Sequence, residues 1–412
     1  MRRFIIMGMS VLYAFAMQAQ EQIRVWKEGE SKRFRTSELV FSEDGSSFQV
    51  NDSTYDCAQI DSITVVHTVT VTFDGDTAYV DLGHAPNVTD TIQGAHVKLI
   101  STDTKNELEF VLQGQSTHGS LYYDGPLKCR FYLNGLNLTS DQGAAIDIKC
   151  GKRVDLILNE GTENFLADAA GGDQKAALYC KGHLEVSGGG ALTVSGNAKH
   201  GIATKEYLEL KKSTGSITIN KAVSDAMHIG QYFMMSGGTV TISGQKGDGL
   251  QVETLTVITE NNDTIPNPDK EDNGQLFIRG GSITITAAED LTRGIKAPLD
   301  MTVSGGTVRV EARGDGSKGI SVTRNMLINQ DTNNTLIQVR ASGDVWEDPK
   351  EKEDDEYNVG IRCKGEFTAD AGTVQVNNVQ KVNYGIRLNW PKNKHIAEDA
   401  SVTANWSYTY KD

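Results

Sequence analysis

Cysteine is sparse in this chain, basic clusters are missing, and after the first residues no apolar run is long enough to cross a bilayer. Each scarcity excludes something. The five cysteines, Cys57, Cys129, Cys150, Cys180 and Cys363, are too few and odd in number for a disulfide framework. Cys180 and Cys363 sit where other repeats carry Thr204, Ile229, Val252, Val322 and Leu388, which reads as small buried hydrophobes. With a formal net charge of -14 and no Lys/Arg-rich stretch, nucleic acid and anionic membrane surfaces are poor partners. An acidic polymer would need cations between it and such a protein. No Ser/His/Asp arrangement, phosphate-cradling glycine loop or zinc motif is visible. His183, His200 and His228 lack the spacing of helical metal ligands and read as structural or surface residues.

Met1-Arg2-Arg3, an apolar run from Phe4 to Met17 and then Gln18-Ala19-Gln20 form the pattern of a secretory signal, cleaved near Ala19 or Gln20. No cysteine lies near that point, so a lipid anchor is not expected. The expectation is an exported, soluble monomer, secreted or held at the cell surface or in the periplasm. Residues 21–82 have a texture of their own, with short strands around Arg24-Val25-Trp26, Phe48-Gln49-Val50, Ile60 to Val65 and Val69 to Phe73. They read as a small β-rich leader before a larger unit, residues 83–412.

What fills that larger unit is repetition. Gly201-Ile202, Ala226-Met227, Gly249-Leu250, Gly294-Ile295, Gly319-Ile320, Gly360-Ile361 and Gly385-Ile386 recur at spacings of 25, 23, 45, 25, 41 and 25 residues. A second phrase, exemplified by Gly237-Gly238-Thr239-Val240 and Gly305-Gly306-Thr307-Val308, recurs between them. No window shows a 3.6-residue apolar period, and each repeat holds three short alternating segments. This predicts a parallel β-helix, a solenoid of about ten coils of roughly 24 residues, with glycine at tight corners needing positive φ. The two long spacings are insertions, residues 254–276 and 343–357.

Aligning the repeats puts residues of equal offset on one line along the rod. Two residues before the anchor stand His200, Asp225, Asp248, Arg293 and Lys318; five before it stand Asp290 and Asp315. Strands about 4.8 Å apart would bring such carboxylates close enough to share a cation. Asp225 with Asp248, and Asp290 with Asp315, are therefore candidate Ca²⁺ ligands, with backbone carbonyls and water completing the shell. A surface salt-bridge ladder is the competing reading of the first column. Tyr232, Trp346, Tyr357, Tyr384 and Trp390, placed in turns or insertions, are candidate platforms for sugar rings.

Lys199-His200-Gly201-Ile202, Ser224-Asp225-Ala226-Met227, Gly247-Asp248-Gly249-Leu250 and the intervening Ser-Gly-Gly-Thr-Val-Thr-Ile phrase resemble the secreted bacterial carbohydrate-binding domain-containing β-helix family. Leu133-Asn134-Gly135-Leu136-Asn137-Leu138 looks like that family's first coil. The resemblance covers about residues 125–390 and implies a right-handed parallel β-helix, lyase-like in shape, that binds Ca²⁺ and acidic or plant-type polysaccharides. Asp225 and Asp248 match the motif aspartates, whereas Ser224, Gly247, Thr292-Arg293 and Ser317-Lys318 depart from the motif. The leader, with Asp61-Ser62-Ile63-Thr64, resembles N-terminal segments of exported Bacteroidetes-type proteins. The expected function is non-catalytic, calcium-dependent polysaccharide binding. The alternatives are a polyuronate lyase, with Arg293 or Lys318 as base, and a structural surface or adhesin rod.

Overall fold

The computed structural model describes residues 22–28, 30–35, 38–50, 53–329, 334–348, 356–378 and 384–410. The secretory-signal reading of residues 1–20 and its cleavage point lie outside them, as does the middle of the second insertion. Regular structure among the described residues is β, apart from short 3-10 turns such as Cys57–Gln59 and Pro391–Asn393. No helix among them is long and apolar enough to cross a membrane.

From about residue 95 the chain visits three ladders of parallel strands in rotation. One round runs through His200–Thr204, Leu208–Leu210 and Ser216–Ala222, and the next begins at Met227–Ile229 beside the first. The register joins the anchors read from the sequence: Ile202 pairs with Met227, Met227 with Leu250, Leu250 with Ile295, Ile295 with Ile320, Ile320 with Ile361 and Ile361 with Ile386. A second ladder joins Leu192, Ile217, Val240, Ile283, Val308, Ile337 and Val374. The third joins Leu184, Leu208, Phe233, Leu276, Met301, Met326 and Phe367. All three rows are buried, and each such side chain contributes on the order of 1.5–3 kcal/mol by leaving water. Alternation along each short strand leaves the polar residues outside, which is why the sequence shows period two.

The two glycine phrases have different physical causes. Gly281 and Gly306, entering successive strands, have φ of 83° and 79°, so positive φ selects glycine there. Gly294 and Gly319 need glycine for room. A Cβ on Gly294 would lie 2.2 Å from Val310 Cγ1, and one on Gly319 2.3 Å from Val339 Cγ1.

The leader has its own hydrophobic cluster of Ile23, Val25, Phe48 and Val50, packed with Phe34, Tyr55 and Ile63. It is built from β1 (Gln22–Lys27), β2 (Glu30–Arg35), a three-stranded antiparallel sheet of β3 (Leu39–Phe41), β4 (Ser47–Val50) and β5 (Ser53–Asp56), and the start of β6 (Ser62–Asp74). β6 belongs to both parts: residues 62–66 pair antiparallel with β1, and 67–74 pair in parallel with Leu108–Ser116. The ladders thus begin inside the range read as leader. Glu109, buried on the neighbouring strand, receives Arg24, Arg33 and Arg130, tying the leader down electrostatically. The first insertion folds as an antiparallel hairpin, Thr256–Ile258 with Thr264–Pro266.

Candidate functional site

The column two residues before the anchor exists in space, but its carboxylates are engaged with the backbone. Asp225 Oδ1 accepts the N–H of Asp248 at 2.9 Å, and Asp248 Oδ1 accepts the N–H of Arg293 at 2.8 Å. Each aspartate satisfies a donor on the next round. Asp248 also lies 3.9 Å from Arg293 Nη1 and 3.7 Å from Lys296 Nζ. Burial raises its pKa, and the Arg293 charge only partly offsets this. Asp225 turns Oδ2 toward His228 Nδ1 at 2.9 Å and His200 Nδ1 at 3.4 Å. Burial opposes its ionisation, yet the His228 and Asp248 hydrogen bonds hold its pKa below the ordinary value. This pair therefore does not form an oxygen-only pocket of the kind calcium takes.

Asp290 and Asp315 form a separate line. Asp290 Oδ1 accepts the N–H of Asp315 at 2.8 Å, and Asp315 Oδ1 accepts that of Asp344 at 2.7 Å. These carboxylates are more accessible than Asp225 and Asp248. In ligand type they fit a hard cation.

The basic residues proposed for a lyase are occupied. Lys318 Nζ donates to Glu356 Oε2 at 2.9 Å, and burial lowers its pKa against that partner's pull. Arg293 sits beside Asp248.

The aromatics do not share one face. Tyr232 is only 8% exposed, donates to Glu209 Oε1 at 2.6 Å and stacks on Tyr207, which stacks in turn on His183. It is a rung of an aromatic ladder, closed to a sugar ring. Tyr357 and Tyr384 meet at 5.2 Å with Arg387 over both rings. Trp390 stacks on Tyr410, and Trp346 anchors the second insertion through backbone hydrogen bonds with Glu356 of 2.9 and 3.0 Å.

A groove of roughly 810 Å³ lies elsewhere, on the outer face of the anchor ladder, lined by Tyr122, Asp147, Lys149, Tyr179, Lys181 and Lys205, with Lys175 at its edge. Tyr122, Asp147 and Tyr179 are consecutive register partners. Lys149, Lys181 and Lys205 stand on successive rounds, their N–H groups bonded to Tyr123, Ile148 and Cys180 of the round before. Lys149 and Lys175 lie 4.8 and 5.4 Å from the centre of the Tyr179 ring. This site was missed by reading contiguous stretches for basic clusters. The signal is present at another offset: Lys149, Lys181 and Lys205 each stand three residues after an anchor, Ile146, Leu178 and Ile202.

The family described as carbohydrate-binding domain-containing protein matches residues 94–383, and the chain belongs to it. A carbohydrate-binding domain-containing protein of Acetivibrio thermocellus is 27% identical over 132 residues, 28% of this chain and 46% of that protein. The chain thus spans less than half the length of that relative. A solved structure of a polysaccharide lyase-like protein from C. thermocellum, a gadolinium derivative, is similar over 76% of this chain and 98% of its own, at 20% identity and a TM-score of 0.46.

Proposed function

We propose that this is an exported, non-catalytic polysaccharide-binding protein, a right-handed parallel β-helix acting as a monomer, and that the Tyr122–Lys205 groove receives an acidic glycan. The observation that carries this is the lysine row on a chain of net charge -14. The three lysines stand on strands about 4.8 Å apart, a rhythm suited to the carboxylates of an extended polyuronate, which would compete with Asp147 for the Lys149 ammonium now 2.9 Å from it. Tyr122 supplies an apolar ring against which a sugar packs. Direct contact through lysine removes the need for cations between two acidic surfaces.

Calcium enters the reading at Asp290 and Asp315, where it would stiffen the rounds by bridging carboxylates, rather than at Asp225 and Asp248. Tyr357, Tyr384 and Trp390 would extend contacts toward the other end of the molecule.

Retention on polygalacturonate, measured by affinity electrophoresis, tests the proposal. The triple substitution of Lys149, Lys181 and Lys205 by Gln should abolish retention while the neutral-glycan control stays unchanged. Unsaturated product followed by ultraviolet absorbance separates the lyase reading. Turnover abolished by chelator would replace the binder with an enzyme, and neither retention nor turnover would leave a structural rod.

A further inference from the structure

His200, Asp225 and His228 come from two successive rounds, and the fold gathers them where their spacing shows nothing. One carboxylate oxygen and two imidazole nitrogens lie within 4.8 Å of one another, the only trio of His, Cys, Asp or Glu so gathered among the described residues. The two rings stack with centroids 4.3 Å apart and an interplanar angle of 21°, both Nδ1 atoms facing Asp225 Oδ2. A second observation points to a ligand: His200 is 3% exposed, and its Nδ1 has no hydrogen-bond partner. Buried polar atoms are rarely left so.

We propose that His200, Asp225 and His228 form a binding site for one divalent transition metal of the zinc class. Two imidazoles and a carboxylate are a donor set for zinc and unsuited to calcium, which takes oxygen. Zinc bonds of about 2.0–2.1 Å in a tetrahedron place neighbouring donors roughly 3.3–3.4 Å apart. The 3.4 Å between Asp225 Oδ2 and His200 Nδ1 already matches. The 2.9 Å to His228 is a hydrogen bond, and on metal binding the proton it uses moves to Nε2 of the ring or leaves to solvent, freeing Nδ1 to ligate. The Asp248 N–H on Oδ1 fixes the carboxylate from behind.

Three protein donors leave one position for water or an anionic oxygen. It opens beside His228, whose side chain is 29% exposed against 3% for His200 and 9% for Asp225. The site stands apart from the Asp290 line and does not depend on the glycan reading.

Titration of the chelator-stripped full chain with Zn²⁺ by calorimetry tests the site. One ion per chain is expected, at micromolar affinity or tighter, with no displacement by excess Ca²⁺. His228→Ala should weaken binding at least 100-fold. Asp225→Asn, which keeps an oxygen for the Asp248 N–H, should weaken it at least tenfold with an unchanged circular dichroism spectrum. Co²⁺ in the wild-type chain should give the visible absorption of a low-coordinate site, absent in His228→Ala. Failure to bind at one to one, displacement by calcium, or affinity unchanged in His228→Ala would overturn the proposal.

Discussion

The carboxylate of Asp248 accepts the backbone N–H of Arg293, 45 residues away in sequence and 2.8 Å away in space. This bond makes the aspartate column part of the scaffold. In Asp248→Ala a buried donor loses its acceptor, and stability should fall by about 1–3 kcal/mol. Asp248→Asn keeps an acceptor and should lose less. Urea unfolding of both variants beside the wild type checks the difference.

Gly294 and Val310 make a sharper test of packing across the interior. Gly294→Ala drives a methyl into Val310 Cγ1 and should destabilise by about 1–3 kcal/mol. Val310→Ala should restore part of that loss in the double variant, so the two substitutions will not add. Thermal unfolding of the four-member cycle measures the coupling.

Removing Glu109 should release the leader. Its side chain is 3% exposed and serves Arg24, Arg33 and Arg130 together. Glu109→Ala takes the carboxylate from Arg24 and Arg33, while Arg130 keeps Asp155 at 2.9 Å, and the expected loss is about 3–5 kcal/mol. Limited proteolysis should cut within residues 22–60 first, while the ladders stay protected.

Lys318 gives a pH dependence of definite sign. Burial depresses its folded pKa below the ordinary lysine value of 10.5, so the unfolded chain binds more protons in the alkaline window between the two. Its contribution therefore becomes more favourable as pH rises through the folded pKa toward the unfolded one. Lys318→Met should flatten that part of the stability–pH curve, as read by urea unfolding between pH 8 and 10.5.

If the groove lysines hold a polyanion, retention should weaken steeply with ionic strength, because exposed charges about a Debye length apart are screened at about 0.1–0.15 M salt. Substituting Lys205 alone by Gln should reduce retention several-fold at low salt and much less at high salt. Affinity electrophoresis across a salt series reads both.

The sequence by itself determined the ladders. A small residue before Ile202, Ile295 or Ile320, a two-residue alternation and a glycine corner can be satisfied together only by short strands stacked in repeating rounds, and the anchor register followed directly. The insertions and the buried Cys180 and Cys363 were legible for the same local reason. What only the tertiary structure decided is which way polar atoms turn once stacked. Offset alone placed Asp225 and Asp248 in line, but it could not show that their oxygens would serve the next round's N–H groups. Nor could it show that two histidines outside any spacing rule would meet one of those carboxylates. The lysine groove was hidden by the same cause: its charges are 24 to 32 residues apart along the chain and one strand apart in space. Strand patterning is a short-range consequence of each residue's own size and polarity, whereas a site depends on the angular placement of side chains from several rounds, which exists only after the rounds have stacked.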